Sequence, residues 1–321
     1  MILAGDIGGT KTNLALFEPK GLRRTAFESF PSRKYETLEE IVEAFLRTHP
    51  VKATHACFGV AGPVRNGTAV ATNLVWRVEA RNVAKRLGLP RVGLINDLEA
   101  NAHGIAALGE QDFEVLNPGS PSVGNAAVIA AGTGLGEAGL FWDGKRYLPF
   151  ACEGGHSDFS PLNELDVELW RHLASQFGRV STERVVSGTG LINIFHFFRD
   201  VKRLEVPGWL EQQMREGDPA AAVSAAALAQ KSEICQRSVE TLVRLYGAEA
   251  GNLALKMMAV GGLYVGGGIA PKLISVLREG AFMSAFLDKG RMRPLLEAVP
   301  VRVILNDQTA LLGAARFALQ E

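Results

Sequence analysis

Cysteine is scarce in this chain: there are three, Cys57, Cys152 and Cys235, far apart and odd in number. No C-x-x-C pair occurs, which argues against a disulfide framework or a structural zinc site and points to a reducing, cytoplasmic setting. An excess of either charge is missing too, since Lys+Arg and Asp+Glu both number 34. No nucleic-acid groove and no anionic membrane surface is therefore expected as the main partner, although a local cationic pocket stays open. No uncharged apolar run reaches the roughly 18 residues of a membrane span. Asp6 interrupts the N-terminal apolar residues early, so no signal peptide is expected. His49, His55, His103, His172 and His196 show no metal-ligand spacing and read as surface or core. What is present is ordinary globular composition, 47% hydrophobic and 21% charged, in 321 residues, a length that suits two domains.

The stretch "GDIGGTKTN" (Gly5 to Asn13) almost spells a P-loop, G-x-x-x-x-G-K-[ST], but Thr10 stands where the template needs glycine. Apolar runs lie on both sides, Ile2 to Ala4 and Leu14 to Phe17, so the spacing predicts strand, tight turn, strand. The long helix of a P-loop is not expected. The same pattern returns roughly 125 residues later: Ala126 to Ala131, then "GTGLG" (Gly132 to Gly136), then Leu140 to Trp142 with Asp143-Gly144 as a hairpin turn. Glycine removes the side chain that would keep phosphate from the backbone, and successive N–H groups in a turn make an anion-binding concavity. Gly8-Gly9-Thr10 and Gly132-Thr133-Gly134 thus read as a two-hairpin phosphate clamp within a duplicated architecture, each with a threonine hydroxyl as a further donor. Asp6 meets phosphate only through Mg²⁺ and its waters, because like charges repel. A glycine turn on its own is also simply a turn. A third such turn, in "GGLYVGGGIAPK" (Gly261 to Lys272), is what weakens that plainer reading.

Other elements follow from periodicity. Thr37 to Thr48 is an amphipathic helix with Leu38, Ile41, Val42, Phe45 and Leu46 on one stripe. His55 to Val60 and Arg91 to Ile95 are strands, Asn82 to Leu87 and Leu98 to Leu108 are helices, and the alternation implies an α/β layer. Asn117 to Asn125, rich in Pro, Gly and Ser, marks a boundary. Beyond it Ser160-Pro161 and Asp218-Pro219 are expected to start helices as cap and first residue. Ala220 to Met258 reads as a long helical region broken or bent near Gly247 and Gly251. A helix is expected from Pro271, and another from Gln308 to Leu319 returns to the first domain. The division expected is residues 1–110 plus 308–321, a small α/β domain, and 111–307, a larger α+β domain.

Asn96-Asp97 falls between a strand and a helix. Asp97 suits either a helix N-cap or a general base at the carboxyl end of a sheet strand, with Asn96 supplying a donor and an acceptor to a polyol. "EGGHSDFSP" places Glu153 and His156 on a glycine-flexible loop, which fits recognition of neighbouring sugar hydroxyls or a plain surface loop. Glu183, after Ser181-Thr182, opens a helix as an acid favoured in a first turn.

Taken together, the sequence resembles bacterial ATP-dependent glucokinase of the proteobacterial and cyanobacterial type, over essentially the whole chain. "GDIGGTKTNLAL" and "AAGTGLGEAGL" are similar to its two phosphate motifs, "LINDLEANAHGI" to its catalytic and sugar-binding motif, "EGGHSDFSP" and "STERVVSGTGL" to its remaining glucose-binding segments, and "GGLYVGGGIAPK" to its adenosine segment. The resemblance implies a two-domain actin-like ATPase (ribonuclease H-like) fold, with a cleft that closes on glucose and excludes water. It implies ATP with Mg²⁺ as cofactors, transfer to glucose O6 as the first step of glycolysis, and a homodimer formed through the helical domain. It also implies Asp97 as the base; Asn96, Glu153, His156 and Glu183 on the sugar; Asp6, Gly8 to Thr10 and Gly132 to Gly134 at the phosphates; and Gly266, Gly267 and Gly268 near adenosine. Lys11 adds a positive charge beside the first turn, a departure from many relatives. Where the related repressor/kinase family carries a cysteine-rich zinc motif after its histidine, this chain has Ser157-Asp158-Phe159, so His156 is not expected to bind zinc. Rival readings are a kinase for another hexose, a sugar-sensing transcriptional regulator, which would need a DNA-binding segment ahead of Met1, and an actin- or Hsp70-like ATPase.

Overall fold

In the computed structural model, which describes residues 1–70, 74, 76–120 and 122–320, the opening apolar run is strand β1 (Ile2–Ile7) and the run after the glycines is β2 (Lys11–Phe17). They pair antiparallel, with Ile7 opposite Thr12. There follow β3 (Arg24–Pro31), helix α1 (Leu38–Thr48), β4 (His55–Val60), the short strands β5 (Val64–Arg65), β6 (Thr68–Val70) and β7 (Arg77–Glu79), α2 (Ala80–Leu87), β8 (Gly93–Asn96) and α3 (Asp97–Ile105). The main sheet runs β3-β2-β1-β4-β8, with β1, β4 and β8 mutually parallel. Alternate residues of β1 serve opposite faces: Ile2 and Ala4 pack with Phe17 and Cys57, whereas Leu3 and Ile7 pack with Phe45 and Phe58. Helix α1 forms as expected, capped by the Thr37 hydroxyl accepting from the Glu40 amide at 3.3 Å, with Leu38, Ile41, Val42 and Phe45 buried. Helix α3 stops three residues before the expected Leu108. There the bonds tighten to Ala107 N to Gly104 O and Leu108 N to Ile105 O.

The next stretch builds a second sheet. Its elements are β9 (Phe113–Asn117), β10 (Ala126–Ala131), β11 (Leu135–Trp142), β12 (Tyr147–Cys152), α4 (Glu164–Phe177), α5 (Gly188–Asp200), α6 (Gly208–Glu216), α7 (Pro219–Leu228), α8 (Glu233–Met257), β13 (Gly262–Gly266), α9 (Ile274–Arg278), α10 (Ala281–Leu287), α11 (Arg293–Glu297) and β14 (Val301–Ile304). The order β12-β11-β10-β13-β14-β9 repeats that of the first sheet with one strand added. As before, the hairpin is antiparallel (β10, β11) and the crossovers are parallel (β10, β13, β14). Strand β9 already belongs to this sheet, ahead of most of the Asn117 to Asn125 stretch, of which residue 121 lies outside the described residues.

Several local expectations are corrected here. Helix α4 starts at Glu164 and not at Pro161, because Asn163 is the cap. Its Oδ1 accepts from Asp166 N at 3.0 Å, while Asp166 Oδ2 accepts from Leu162 N at 3.1 Å. The helical region Ala220 to Met258 breaks at residues 229–232, where Gln230 has φ 54°, and α8 runs unbroken through Gly247 and Gly251. Those glycines admit a neighbour: a β-carbon at Gly247 would lie 2.1 Å from Phe282 O, and one at Gly251 2.5 Å from Phe286 O, both on α10. The helix after Pro271 begins at Ile274. Asp218 does cap α7, with Pro219 as its first residue.

The last helix, α12 (Thr309–Ala318), lies against α3 and the first sheet. Its contact with α3 is backbone-close: a β-carbon at Gly313 would come 1.7 Å from Ala100 O, and one at Gly104 2.0 Å from Thr309 O. The chain thus divides into two compact units. One comprises Met1–Asp112, Pro149–Ala151 and Asn306–Glu321; the other comprises Phe113–Leu148 and Cys152–Leu305.

Candidate active site

In the first unit the parallel strands end in register, Ile7 opposite Val60 and Val60 opposite Asn96. The Gly8-Gly9-Thr10 turn and Asn96-Asp97 therefore leave the same sheet edge, two strand spacings or about 10 Å apart. Ligands of open α/β sheets bind at this kind of edge. Asn96, not Asp97, is the N-cap: its Oδ1 accepts from Leu98 N at 2.8 Å and Glu99 N at 3.3 Å, and its Nδ2 donates to Gly62 O at 3.1 Å. Asp97 is the first helical residue and is partly buried. Its Oδ1 accepts from Leu98 N at 3.0 Å, and a helix N-terminus favours negative charge there. Gly59 lets α3 start close over β4; its β-carbon would lie 2.9 Å from that of Ala100 and 3.6 Å from the Asp97 Cα.

The first glycine turn is held from behind. Gly8 N donates to Lys11 O at 3.0 Å, Ser32 N donates to Thr10 O at 3.0 Å, and Ser32 Oγ donates to Gly8 O at 2.8 Å. Thr10 and Lys11 are exposed. Asp6, near the end of β1, is half-buried; burial pushes its carboxyl above the usual range, and the Asn13 amide, 3.4 Å away, pulls it back. Among the described residues no group of three or more His, Cys, Asp or Glu gathers to hold a metal. A single carboxylate beside a glycine turn would suit a magnesium ion that arrives with a nucleotide and keeps most of its waters.

In the second unit Ala130 pairs with Gly266, so the 132–134 turn and the 266–268 turn stand side by side. Gly267, at φ 78°, has no room for a side chain: a β-carbon would lie 2.3 Å from Ala131 O. Tyr246, fully buried on α8, ties the two strands together. Its hydroxyl accepts from Ala131 N at 3.1 Å and faces the carbonyls of Ile129 at 3.3 Å and Gly266 at 3.2 Å. Glu183 sits in a one-turn 3₁₀ helix, not at the start of an α-helix. Its Oε2 accepts from Leu135 N at 2.9 Å and closes over Gly134, whose β-carbon would fall 2.4 Å from it. The loop of Glu153 and His156 packs on the same hairpin, with room at Gly155 for no β-carbon (2.1 Å from Leu135 O). Arg179 fastens that loop, donating to Asp158 Oδ1 and to His156 O, both at 2.7 Å, and Thr182 N donates to Ser157 O at 2.9 Å. Gly132 to Gly134, Glu153, His156 and Glu183 are thereby gathered by three touching segments, with Glu153 and His156 exposed. Ser32 and Tyr246 escaped the sequence reading; a serine and a tyrosine outside any motif give no local sign of what they hold.

Two sheets of like order, each with a glycine turn in its antiparallel hairpin, define a two-domain phosphotransferase of the actin-like ATPase fold. The chain belongs to the glucokinase family, whose model matches residues 3–321. It is 44% identical to the glucokinase of Trichormus variabilis and 42% identical to that of Nostoc punctiforme, each match covering 99% of this chain and 98% of the relative. Among solved structures it superposes on a glucokinase from an Antarctic psychrotroph with a TM-score of 0.84 and 30% identity, over 100% of this chain and 99% of that one. It also matches in fold a Balamuthia mandrillaris glucokinase in complex with glucose (TM-score 0.82, 20% identity, 99% and 93% covered).

Proposed function

We propose that Asp97 is the general base with which this chain transfers the γ-phosphoryl group of ATP to O6 of D-glucose. ATP-dependent phosphorylation of glucose is the activity of the family to which the chain belongs. The observation that carries the assignment is the shared sheet edge: a carboxylate at the N-terminus of α3, two strands from a phosphate-type glycine turn. Asp97 takes the O6 proton as O6 attacks the γ-phosphorus, the bond to the bridging β-oxygen breaks, and ADP leaves. Asn96, Glu153, His156 and Glu183 bind the other hydroxyls. Glu183 has one oxygen committed to Leu135 N, so its other oxygen faces the sugar, and the same side chain joins sugar site to phosphate turn. Gly8 to Thr10 and Gly132 to Gly134 hold phosphates, and Gly266 to Gly268 lie near adenosine. Lys11 adds positive charge beside the first turn. Asp6 would hold Mg²⁺ through water, and the ion when bound neutralises charge on the β- and γ-phosphates.

We infer further a homodimer, from the family resemblance, and a cytoplasmic setting, from the scarcity of cysteine; among the described residues no helix is long and apolar enough to cross a membrane. The deciding test of Asp97 is a coupled ATP/glucose assay. Asp97→Ala is expected to lower kcat by about 10²–10⁴-fold with an unchanged circular dichroism spectrum. Near-full turnover in that variant would refute the assignment. A panel of hexoses and phosphoryl donors in the same assay measures selectivity.

A further inference from the structure

Strand β11, the return strand of the second glycine hairpin, carries a glutamate that the mechanism above does not use. Glu137 is 1% exposed in an otherwise apolar run. Its Oε2 lies against Gly154, the residue after Glu153; a β-carbon at Gly154 would fall 1.8 Å from that oxygen. Its Oε1 is buried and, among the described residues, has no hydrogen-bond partner. The charged and titratable groups around it come from two elements. Helix α8 brings Tyr246, Glu249 and Lys256; β12 brings Cys152, whose thiol donates to the Glu137 carbonyl at 3.4 Å, with Glu153 just beyond. The one nearby cation on α8 is already engaged: Lys256 Nζ reaches Glu249 Oε1 at 3.3 Å, and Asn252 holds Glu249 Oε2 at 2.9 Å. Lys289 faces Glu249 as well. Among the described residues Glu137 therefore has a like charge near it and no cation of its own. A buried, unpaired carboxylate is strongly disfavoured, while a neutral carboxyl is tolerated.

We propose that Glu137 is a positioning residue for the sugar: its neutral carboxyl is the floor on which Gly154 rests, and it sets where Glu153 and His156 stand. The proposal rests on the assignment of Glu153 and His156 to glucose. Burial first, then Glu249, push the carboxyl up to about 7, with Lys256 pulling the other way, so its ionisation falls in the working range of a cytoplasmic enzyme. Ionisation puts a negative charge beneath Gly154 and beside Glu249, and the loop has to move to let water or a cation reach it. Glucose affinity then declines as the pH rises through that point, whereas nucleotide affinity does not.

The test is the KM for glucose and for ATP from about pH 6 to about pH 8.5 in wild type, Glu137→Gln and Glu137→Met. Wild type is expected to show a several-fold rise in glucose KM with a flat ATP KM. Glu137→Gln, the isosteric neutral variant, holds the low-pH glucose KM throughout. Glu137→Met loses the planar floor and raises glucose KM about tenfold, short of the roughly 10²-fold that a full 1 Å misplacement can cost. A Glu137→Gln curve that follows wild type, or a Glu137→Met variant with wild-type glucose KM, overturns the proposal. Glu153→Gln separates the two levels. If it raises glucose KM while the Glu137 variants do nothing, only the positioning role fails; if it too leaves glucose KM unchanged, the sugar assignment itself fails and the positioning role with it.

Discussion

Ser32 is uncharged and fully buried, yet the first glycine turn leans on it. A hydroxyl has one proton to give, and Ser32 Oγ gives it to Gly8 O at 2.8 Å. Thr12 Oγ1, 3.0 Å from Ser32 Oγ, must then be the donor in that pair, so the two hydroxyls form a short chain running from β2 to the turn. Ser32→Ala removes the middle link and leaves a carbonyl and a buried hydroxyl each short of a partner. The expected cost is about 1–3 kcal/mol of stability, together with a higher KM for ATP and a glucose KM that moves less. Urea denaturation and steady-state kinetics measure both. Tyr246 does the equivalent service in the other unit, where one phenol hydroxyl meets Ala131 N, Ile129 O and Gly266 O. Its hydroxyl is pushed well above its ordinary value, by burial first, and stays protonated throughout the working range.

At the scale of elements, close helix contacts depend on glycines that a propensity reading counts as breaks. Replacing Gly247 by alanine gains about 1 kcal/mol of helix propensity in α8. It also drives a methyl group to within 2.1 Å of Phe282 O, a backbone atom that cannot swing aside. Overpacking of this kind costs about 1–3 kcal/mol and sometimes more. The second effect wins, so Gly247→Ala is expected to lower the melting temperature, whereas an alanine at Gly217, which ends α6 and has only Gln213 O at 3.4 Å near its β-carbon position, does far less harm. The same comparison by calorimetry applies to Gly313, where α12 meets α3. How the long helix runs was therefore not legible from Ala220 to Met258 alone, because the partner that explains both glycines begins at Ala281.

For the whole molecule, one titrating group in each unit contributes an opposite dependence on pH. His103 of the first unit lies beside the Phe317 ring at 5.2 Å; burial, and then Arg316, push its imidazole down to about 4 from 6.5. The native state leaves it neutral while the unfolded chain binds a proton, so this contribution to stability is lost as the pH falls from 6.5 toward 4. Glu137 of the second unit works the other way. Its native value is raised from 4.5 to about 7, so stability is full below 4.5 and is lost as the pH rises through that window. Glu137→Gln is thus expected to be more stable than wild type at about pH 8, by on the order of 3 kcal/mol at most, and no more stable at about pH 4.5. His103→Gln reverses the pattern. Scanning calorimetry of both variants at the two pH values checks this, and two units need not melt as one transition.

By itself the sequence determined the strands that flank the glycine turns, the turns themselves and the hydrogen-bonding groups displayed on them. Alternating apolar runs bounded by glycine are properties of a short window, and the residues of "GDIGGTKTN", Asn96-Asp97, "GTGLG" and "EGGHSDFSP" bring their hydrogen-bonding capacity wherever they sit. Only the tertiary structure decided that Glu183 reaches back 48 residues to Leu135 N, that Ser32 stands behind Gly8, and that Glu137 lies under Gly154. The reason is physical: a hydrogen bond or a packing overlap between distant segments acquires its energy only once the chain has closed the loop between them, and no local pattern of residues records which loop closes.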